Sequence, residues 1–146
     1  MKFQYLKFSS GLLSIALQFL PISTIAAQPM QPESFAAWCL RRNSVPATTR
    51  NTINALLKIA RTNNCQSADS RLKKGTLLDL RNQNISDIRP LASLTQLVHL
   101  WLGQNQISDI KPLTNFTNLL NLNLNDNRIS DLKPLAKLTQ LTTIRL

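Results

Sequence analysis

Hydrophobic and polar positions recur with a fixed period of 22 residues through the second half of the chain. The repeats start at Leu78, Leu100, Leu122 and Ile144, and a leucine returns two residues later in all four. In the three longer repeats, further apolar, proline and Ser-Asp positions follow in phase. A period of this length is typical of a solenoid, in which each repeat forms one coil that stacks on the next.

The repeat unit reads L-x-x-L-x-L-x-x-N-x-I, as in residues 97–107. Its alternating leucines predict a short strand with one side turned into the coil. Asn105 and Asn127 follow the strand, where an amide can donate to and accept from the backbone of neighbouring coils. Gln83 stands at the matching place in the first repeat. We therefore expect the ladder of amide hydrogen bonds between neighbouring coils to be weaker there. A short helical turn is predicted near the proline that follows.

This pattern resembles the leucine-rich repeat family. Residues 105–141, NQISDIKPLTNFTNLLNLNLNDNRISDLKPLAKLTQL, look most like the repeats of bacterial internalins and related cyanobacterial-type exported proteins. The resemblance covers roughly residues 76–146. It implies an α/β leucine-rich repeat solenoid, with a curved parallel sheet on the concave side and short helical or 3-10 turns on the convex side. Family members mostly bind proteins and some bind other ligands, so the resemblance implies recognition rather than chemistry.

The first 27 residues have the layout of a secretory signal peptide. Lys2 and Lys7 precede an apolar stretch over residues 11–20, and Ala26-Ala27 supply small residues for cleavage. The apolar stretch is shorter than the roughly 20 residues of a spanning helix. We therefore predict an exported protein (periplasm, cell surface or secreted) that begins near Gln28 and has no transmembrane segment after signal cleavage.

Residues 28–75 are predicted to form a helical N-terminal cap, because a solenoid needs a cover for the apolar edge of its first coil. Two helices are expected, separated by residues 43–46. Trp38 shares a helical face with Phe35 and is interpreted as part of the cap core, with a ligand platform as the alternative. The second helix follows the i, i+3, i+4, i+7 rule at Ile53, Leu56, Leu57 and Ala60.

The two cysteines of the chain, Cys39 and Cys65, both lie in this block. Exported chains meet oxidising conditions, so the pair is predicted to form a disulfide between the first helix and the end of the second. Such a bridge contributes on the order of 3 kcal/mol to stability. A metal site is the weaker alternative, because the only other soft ligand is His99.

Charge is concentrated in the predicted cap. The net charge of the chain is +10. Residues 28–75 carry eight basic and two acidic groups, and residues 76–146 carry seven basic and five acidic groups. This balance suggests an acidic glycan or an anionic surface as a partner, the alternative being a solvated face that keeps the protein soluble. Nucleic acid is not expected, because no basic stripe lies on a known reading motif.

The sequence contains little that would support catalysis. There is one histidine, and the three glycines form no phosphate-binding loop. Asp87, Asp109 and Asp131 recur in one column, and we interpret them as caps of the following turn rather than as a metal ladder. We therefore predict a protein that is not an enzyme, without catalytic residues, metal or cofactor.

The concave side of the sheet is the predicted binding surface. Trp101 is the main candidate, because large exposed aromatic residues are frequent binding anchors; its alternative role is packing against Leu77 or the cap. A protein ligand is the first expectation. The predicted ligand-binding residues are Asp79, Arg81, His99, Trp101, Asn121, Asn123, Asn125 and Arg145.

The sequence ends at Leu146, inside the fourth predicted strand. An open strand edge invites association with another chain, so self-association through this edge is expected. It also leaves an alternative reading of the whole chain, as a truncated or structural fragment of a longer leucine-rich repeat protein with an assembly role only.

Overall fold

The computed structural model describes residues 32–146, and the predicted signal peptide lies outside these residues. Three helices come first, α1 (Phe35–Leu40), α2 (Ala47–Ala60) and α3 (Cys65–Leu72). Four short strands follow, β1 (Leu77–Asp79), β2 (His99–Trp101), β3 (Asn121–Asn123) and β4 (Thr143–Arg145). Each pair of consecutive strands is connected through a 3-10 turn, at Arg89–Leu91, Lys111–Asn115 and Lys133–Lys137.

The strands form one parallel sheet in chain order, and its register reproduces the 22-residue period. Leu78 pairs with Leu100, Leu100 with Leu122, and Leu122 with Ile144. The predicted solenoid of stacked coils with a parallel sheet and 3-10 turns is therefore confirmed.

The core is a stack of the predicted apolar columns. Leu80, Leu102 and Leu124 are buried in three successive coils. Leu132 of the third repeat and Ile144 of the fourth are 44% and 40% exposed, because among the described residues no complete coil stacks on the third. Burial thus depends on stacking, as expected for a coil that cannot enclose its own apolar side.

An asparagine ladder ties the ends of the strands together. The Asn105 side-chain nitrogen donates to the carbonyls of Leu80 and Leu102 at 2.8 and 2.9 Å. Its oxygen accepts from the backbone N–H groups of Gln83 and Ile85. The Gln83 side chain is exposed and donates only to carbonyls within two residues of it. The ladder is therefore weaker in the first coil, as predicted.

The aspartate column caps the 3-10 turns. Asp87, Asp109 and Asp131 each accept a hydrogen bond from the backbone N–H two residues later, at 2.9–3.0 Å. The proline lies in the first two positions of each turn, where it interrupts no helical hydrogen bond. The capping interpretation is confirmed.

The helical region differs from the prediction in having three helices instead of two. Arg61 adopts a left-handed conformation (φ 51°) and ends α2. The Asn64 side chain then accepts from the Ser67 N–H and starts α3. Cys65 is consequently the first residue of a third helix rather than the end of the second.

The disulfide between Cys39 and Cys65 is formed in the structure, with the two Cα atoms 5.6 Å apart. It joins α1 to α3 beside the buried Phe35 and Ala68. Trp38 is partly buried against this core, and the guanidinium groups of Arg41 and Arg89 lie 4.4 and 5.4 Å from its ring. The core interpretation of Trp38 agrees with this packing.

Candidate binding surface

The outward side chains of the four strands form a regular grid, which we call the sheet face; it is the side predicted to be concave. In the first three strands, the central residues Leu78, Leu100 and Leu122 point into the core, and the residues on either side of them point outward. The strand register fixes two rows across the sheet. One row is Leu77, His99, Asn121 and Thr143, and the other is Asp79, Trp101, Asn123 and Arg145.

Trp101 is held by an ion pair from the first strand and its following turn. The Arg81 guanidinium lies over the indole, 4.8 Å from the ring centroid. Asp79 accepts two hydrogen bonds from that guanidinium, at 2.7 and 3.0 Å. These hydrogen bonds hold the pKa of Asp79 below its ordinary value, although partial burial opposes the shift. One side of the indole is therefore occupied by a cation that is itself fixed by a carboxylate.

His99 and Asn121 form a second fixed pair on the sheet face. The Asn121 side-chain nitrogen lies 2.8 Å from His99 Nδ1. Which of the two groups donates depends on the tautomer of the imidazole. Both side chains are half-buried. The contact engages Nδ1 and fixes the orientation of the ring, while Nε2 is not part of it.

Gly103 makes room for the asparagines of the third strand. A Cβ atom at this position would lie 2.3 Å from Asn125 Oδ1 and 2.8 Å from Asn123 Oδ1. Asn123 Oδ1 also accepts from the Asn125 N–H at 3.0 Å, and Asn125 donates to the Asp126 carboxylate at 2.6 Å. The absence of a side chain at Gly103 therefore leaves the space that both amide oxygens occupy.

A depression of about 350 Å³ lies in the middle of the sheet face. It brings together five of the predicted binding residues, His99, Trp101, Asn121, Asn123 and Arg145. Asp79 and Arg81 border a separate polar depression with Gln83 and Gln104. Asn125 borders neither of the two.

Three residues of the central depression were not among the predicted binding residues: Leu77, Leu122 and Thr143. Leu77 is 49% exposed although it is a leucine. An apolar residue in an outward column is a signal that the sequence contains, and it would have identified Leu77. Leu122 belongs to a core column, so nothing in the sequence indicates that it also borders the depression.

Comparisons with known proteins relate the repeats to a known family. Residues 76–115 match the family model described as Leucine Rich repeats (2 copies). The repeats of this chain are similar to the leucine-rich repeats of internalins. The structure is similar to that of an internalin, InlF from Listeria monocytogenes, with 28% identity and a TM-score of 0.57 over 64% of this chain. The similarity extends over 28% of that internalin, so the present chain corresponds to a minor part of its length.

A second similar structure is internalin C2 from Listeria monocytogenes, with 30% identity and a TM-score of 0.33. The match covers 53% of this chain and 54% of internalin C2. No curated protein sequence matches the chain.

Within residues 32–146, no group of three or more His, Cys, Asp or Glu side chains is arranged to hold a metal ion. Within the same residues, no helix has the length and apolar character needed to cross a membrane.

Proposed function

We propose that this protein is an exported, non-catalytic recognition module that binds a protein ligand on its sheet face. The observation that carries the proposal is the fixed Trp101, placed beside the central depression by Arg81 and Asp79. An aromatic ring buries a large area at low entropy cost and can donate a hydrogen bond through its indole N–H. A ring that is already held loses less freedom when a ligand binds.

The groups around Trp101 suit a polar partner surface. Asn121 and Asn123 supply amides, His99 supplies an imidazole ring, and Arg145 supplies an exposed positive charge. These side chains can donate to backbone carbonyls and to carboxylates. An acidic glycan offers similar acceptors and is the second candidate ligand, favoured by the positive charge of the helical region.

The test is affinity capture from the surface proteins of the source cell with immobilised protein. A true ligand is retained by the wild type and lost with Trp101→Ala, because truncation of an anchor typically costs about 2 kcal/mol or more of binding free energy. Lys137→Ala, on the exposed surface of the last 3-10 turn, is the control and should retain the ligand. If Trp101→Ala retains the ligand as well as the wild type does, Trp101 is not part of the binding site.

Export is part of the proposal and has its own test. The charged, apolar and small-residue layout of residues 1–27 supports it. The intact mass of the secreted or periplasmic protein should correspond to a chain that begins near Gln28. A mass that includes residues 1–26 would contradict cleavage.

An assembly role is a second candidate, favoured by exposed apolar residues of the third and fourth repeats. Leu132, Ile144 and Leu146 are 44%, 40% and 60% exposed. Packing against another coil or a second copy would bury them. Light scattering of the wild type and Leu132→Lys over a concentration series tests this; self-association that the lysine does not weaken would argue against the edge as the interface.

A further inference from the structure

A second depression, of about 280 Å³, lies where α2 and α3 meet the first coil. Its inner wall is formed by the buried side chains of Leu72, Leu78, Leu94 and Leu97. Apolar surface of this kind favours a hydrocarbon guest, because binding removes that surface from water. Leu77 borders both this depression and the central one on the sheet face, but the other wall residues differ.

The mouth of the depression is also apolar. Ile59 and Leu77 lie on its border and are 42% and 49% exposed. Among residues 32–146, few other large apolar side chains are exposed outside the third and fourth repeats. An exposed apolar border that continues into a buried apolar wall is the expected form of a site for a hydrocarbon chain.

Two arginines border the same depression. Arg71 Nη1 donates to the carbonyls of Ala60 and Arg61 at 2.9 and 3.2 Å, which fixes its guanidinium at the end of α2. The Arg61 side chain has no hydrogen-bond or ion-pair partner among residues 32–146, and no carboxylate borders the depression. Two arginines that border one depression without a carboxylate beside them favour an anion.

We propose that this depression binds a fatty acid, with the alkyl chain against the leucine wall and the carboxylate at Arg61 and Arg71. Charge complementarity selects an anionic head, and the apolar wall selects a hydrocarbon tail. The volume exceeds the ~150 Å³ of a cavity that admits benzene and falls just below the ~300 Å³ at which drug-sized sites begin. It therefore suits a single chain of medium length, and the site is independent of the ligand proposed for the sheet face.

The probe is decanoate, added below its micelle concentration to the folded protein with methyl-labelled leucines. We expect saturable one-to-one shifts of the methyl signals of Leu72, Leu94 and Leu97. Decanol has a similar chain without the charge and should bind about fivefold or more weakly. Acetate has the charge without the chain and should shift none of these methyls.

A matched pair of variants separates a specific head-group contact from overall charge. Arg61→Asn removes the charge at the mouth and keeps a residue that tolerates the left-handed conformation. This substitution should weaken the binding of decanoate about fivefold and leave the affinity for decanol unchanged. Lys58→Gln removes one exposed charge from α2 outside the depression and should change decanoate affinity less than about twofold.

Three results would overturn the proposal. The first is the absence of saturable decanoate shifts. The second is equal weakening by Lys58→Gln and Arg61→Asn, which would indicate a general charge effect. The third is a set of shifts at the sheet-face residues instead of the leucine wall. Melting of both variants should match the wild type, because neither side chain makes a hydrogen bond within the described residues.

Discussion

Thr49 of α2 donates a hydrogen bond from its hydroxyl to the carboxylate of Asp87 in the first coil, over 2.6 Å. The neighbouring Thr52 hydroxyl donates to the Asp87 carbonyl at the same distance. Arg89 completes the site with an ion pair to Asp87 at 2.8 Å. One aspartate of the repeat column thus joins the helical region to the solenoid, in addition to capping its own turn.

Asp87→Asn should destabilise the protein by about 1.5–3 kcal/mol at pH 7, the range for hydrogen bonds to a charged group. Burial raises the pKa of Asp87, but hydrogen bonds from Arg89 and Thr49 outweigh it, and the pKa lies below its usual value. The contribution is therefore present above the unfolded pKa of about 3.9 and is lost as pH falls through the lower folded pKa. Melting of both proteins from pH 7 to pH 2 should show the difference shrinking below about pH 4.

The control is Asp109→Asn, at the same column in the second coil. Its carboxylate accepts the Lys111 N–H at 2.9 Å and has no helix beside it. The loss should be smaller, about 0.5–1.5 kcal/mol. An equal loss in both variants would mean that Asp87 contributes as a cap only.

The repeat columns and their register follow from the sequence because each inward position needs an apolar side chain at every period. The third helix was not predicted, since Cys65–Leu72 (CQSADSRL) contains few apolar residues at helical spacing. Its start depends on the local Asn64 cap instead. The ion pair over Trp101 was also outside the prediction, because the repeat pattern fixes which side of a strand a residue occupies and leaves the rotamers of outward side chains undetermined.

Asn105→Ala should destabilise the protein by several kcal/mol. The Asn105 side chain is 8% exposed and pairs with backbone groups of two coils. Its removal leaves buried donors and acceptors without partners, at a cost of about 1–3 kcal/mol for each group that water cannot reach. Urea unfolding gives the change in free energy.

Asn127→Ala is the matched variant in the third coil. Asn127 is only partly buried, so water can replace part of its bonding. Asn127→Ala should lower the free energy of unfolding clearly less than Asn105→Ala does. The reverse order would contradict the view that burial determines how much each asparagine stabilises the fold.

Reduction of the Cys39–Cys65 bridge should lower the stability by about 3 kcal/mol, mainly because the unfolded chain gains freedom. The bridge closes a sequence separation of 26 residues and lies in the core of the helices. The measurement compares melting of the wild type with and without reductant. The double variant Cys39→Ala/Cys65→Ala should melt at the same temperature as the reduced wild type, with or without reductant. A change in its melting temperature on adding reductant would show that the reductant acts elsewhere.

Leu102→Ala and Trp101→Ala are adjacent substitutions with opposite expected effects. Leu102 is completely buried between neighbouring coils, so its truncation opens a cavity and should cost about 2–5 kcal/mol of stability. Trp101 points out of the same strand and is half-buried. Its removal forfeits the cation–π contact with Arg81, worth about 0.5–1 kcal/mol at an exposed site. Urea unfolding of both variants gives the change in the free energy of unfolding. If Trp101→Ala destabilises the protein as much as Leu102→Ala or more, the indole is part of the packing of the fold and is not a binding anchor.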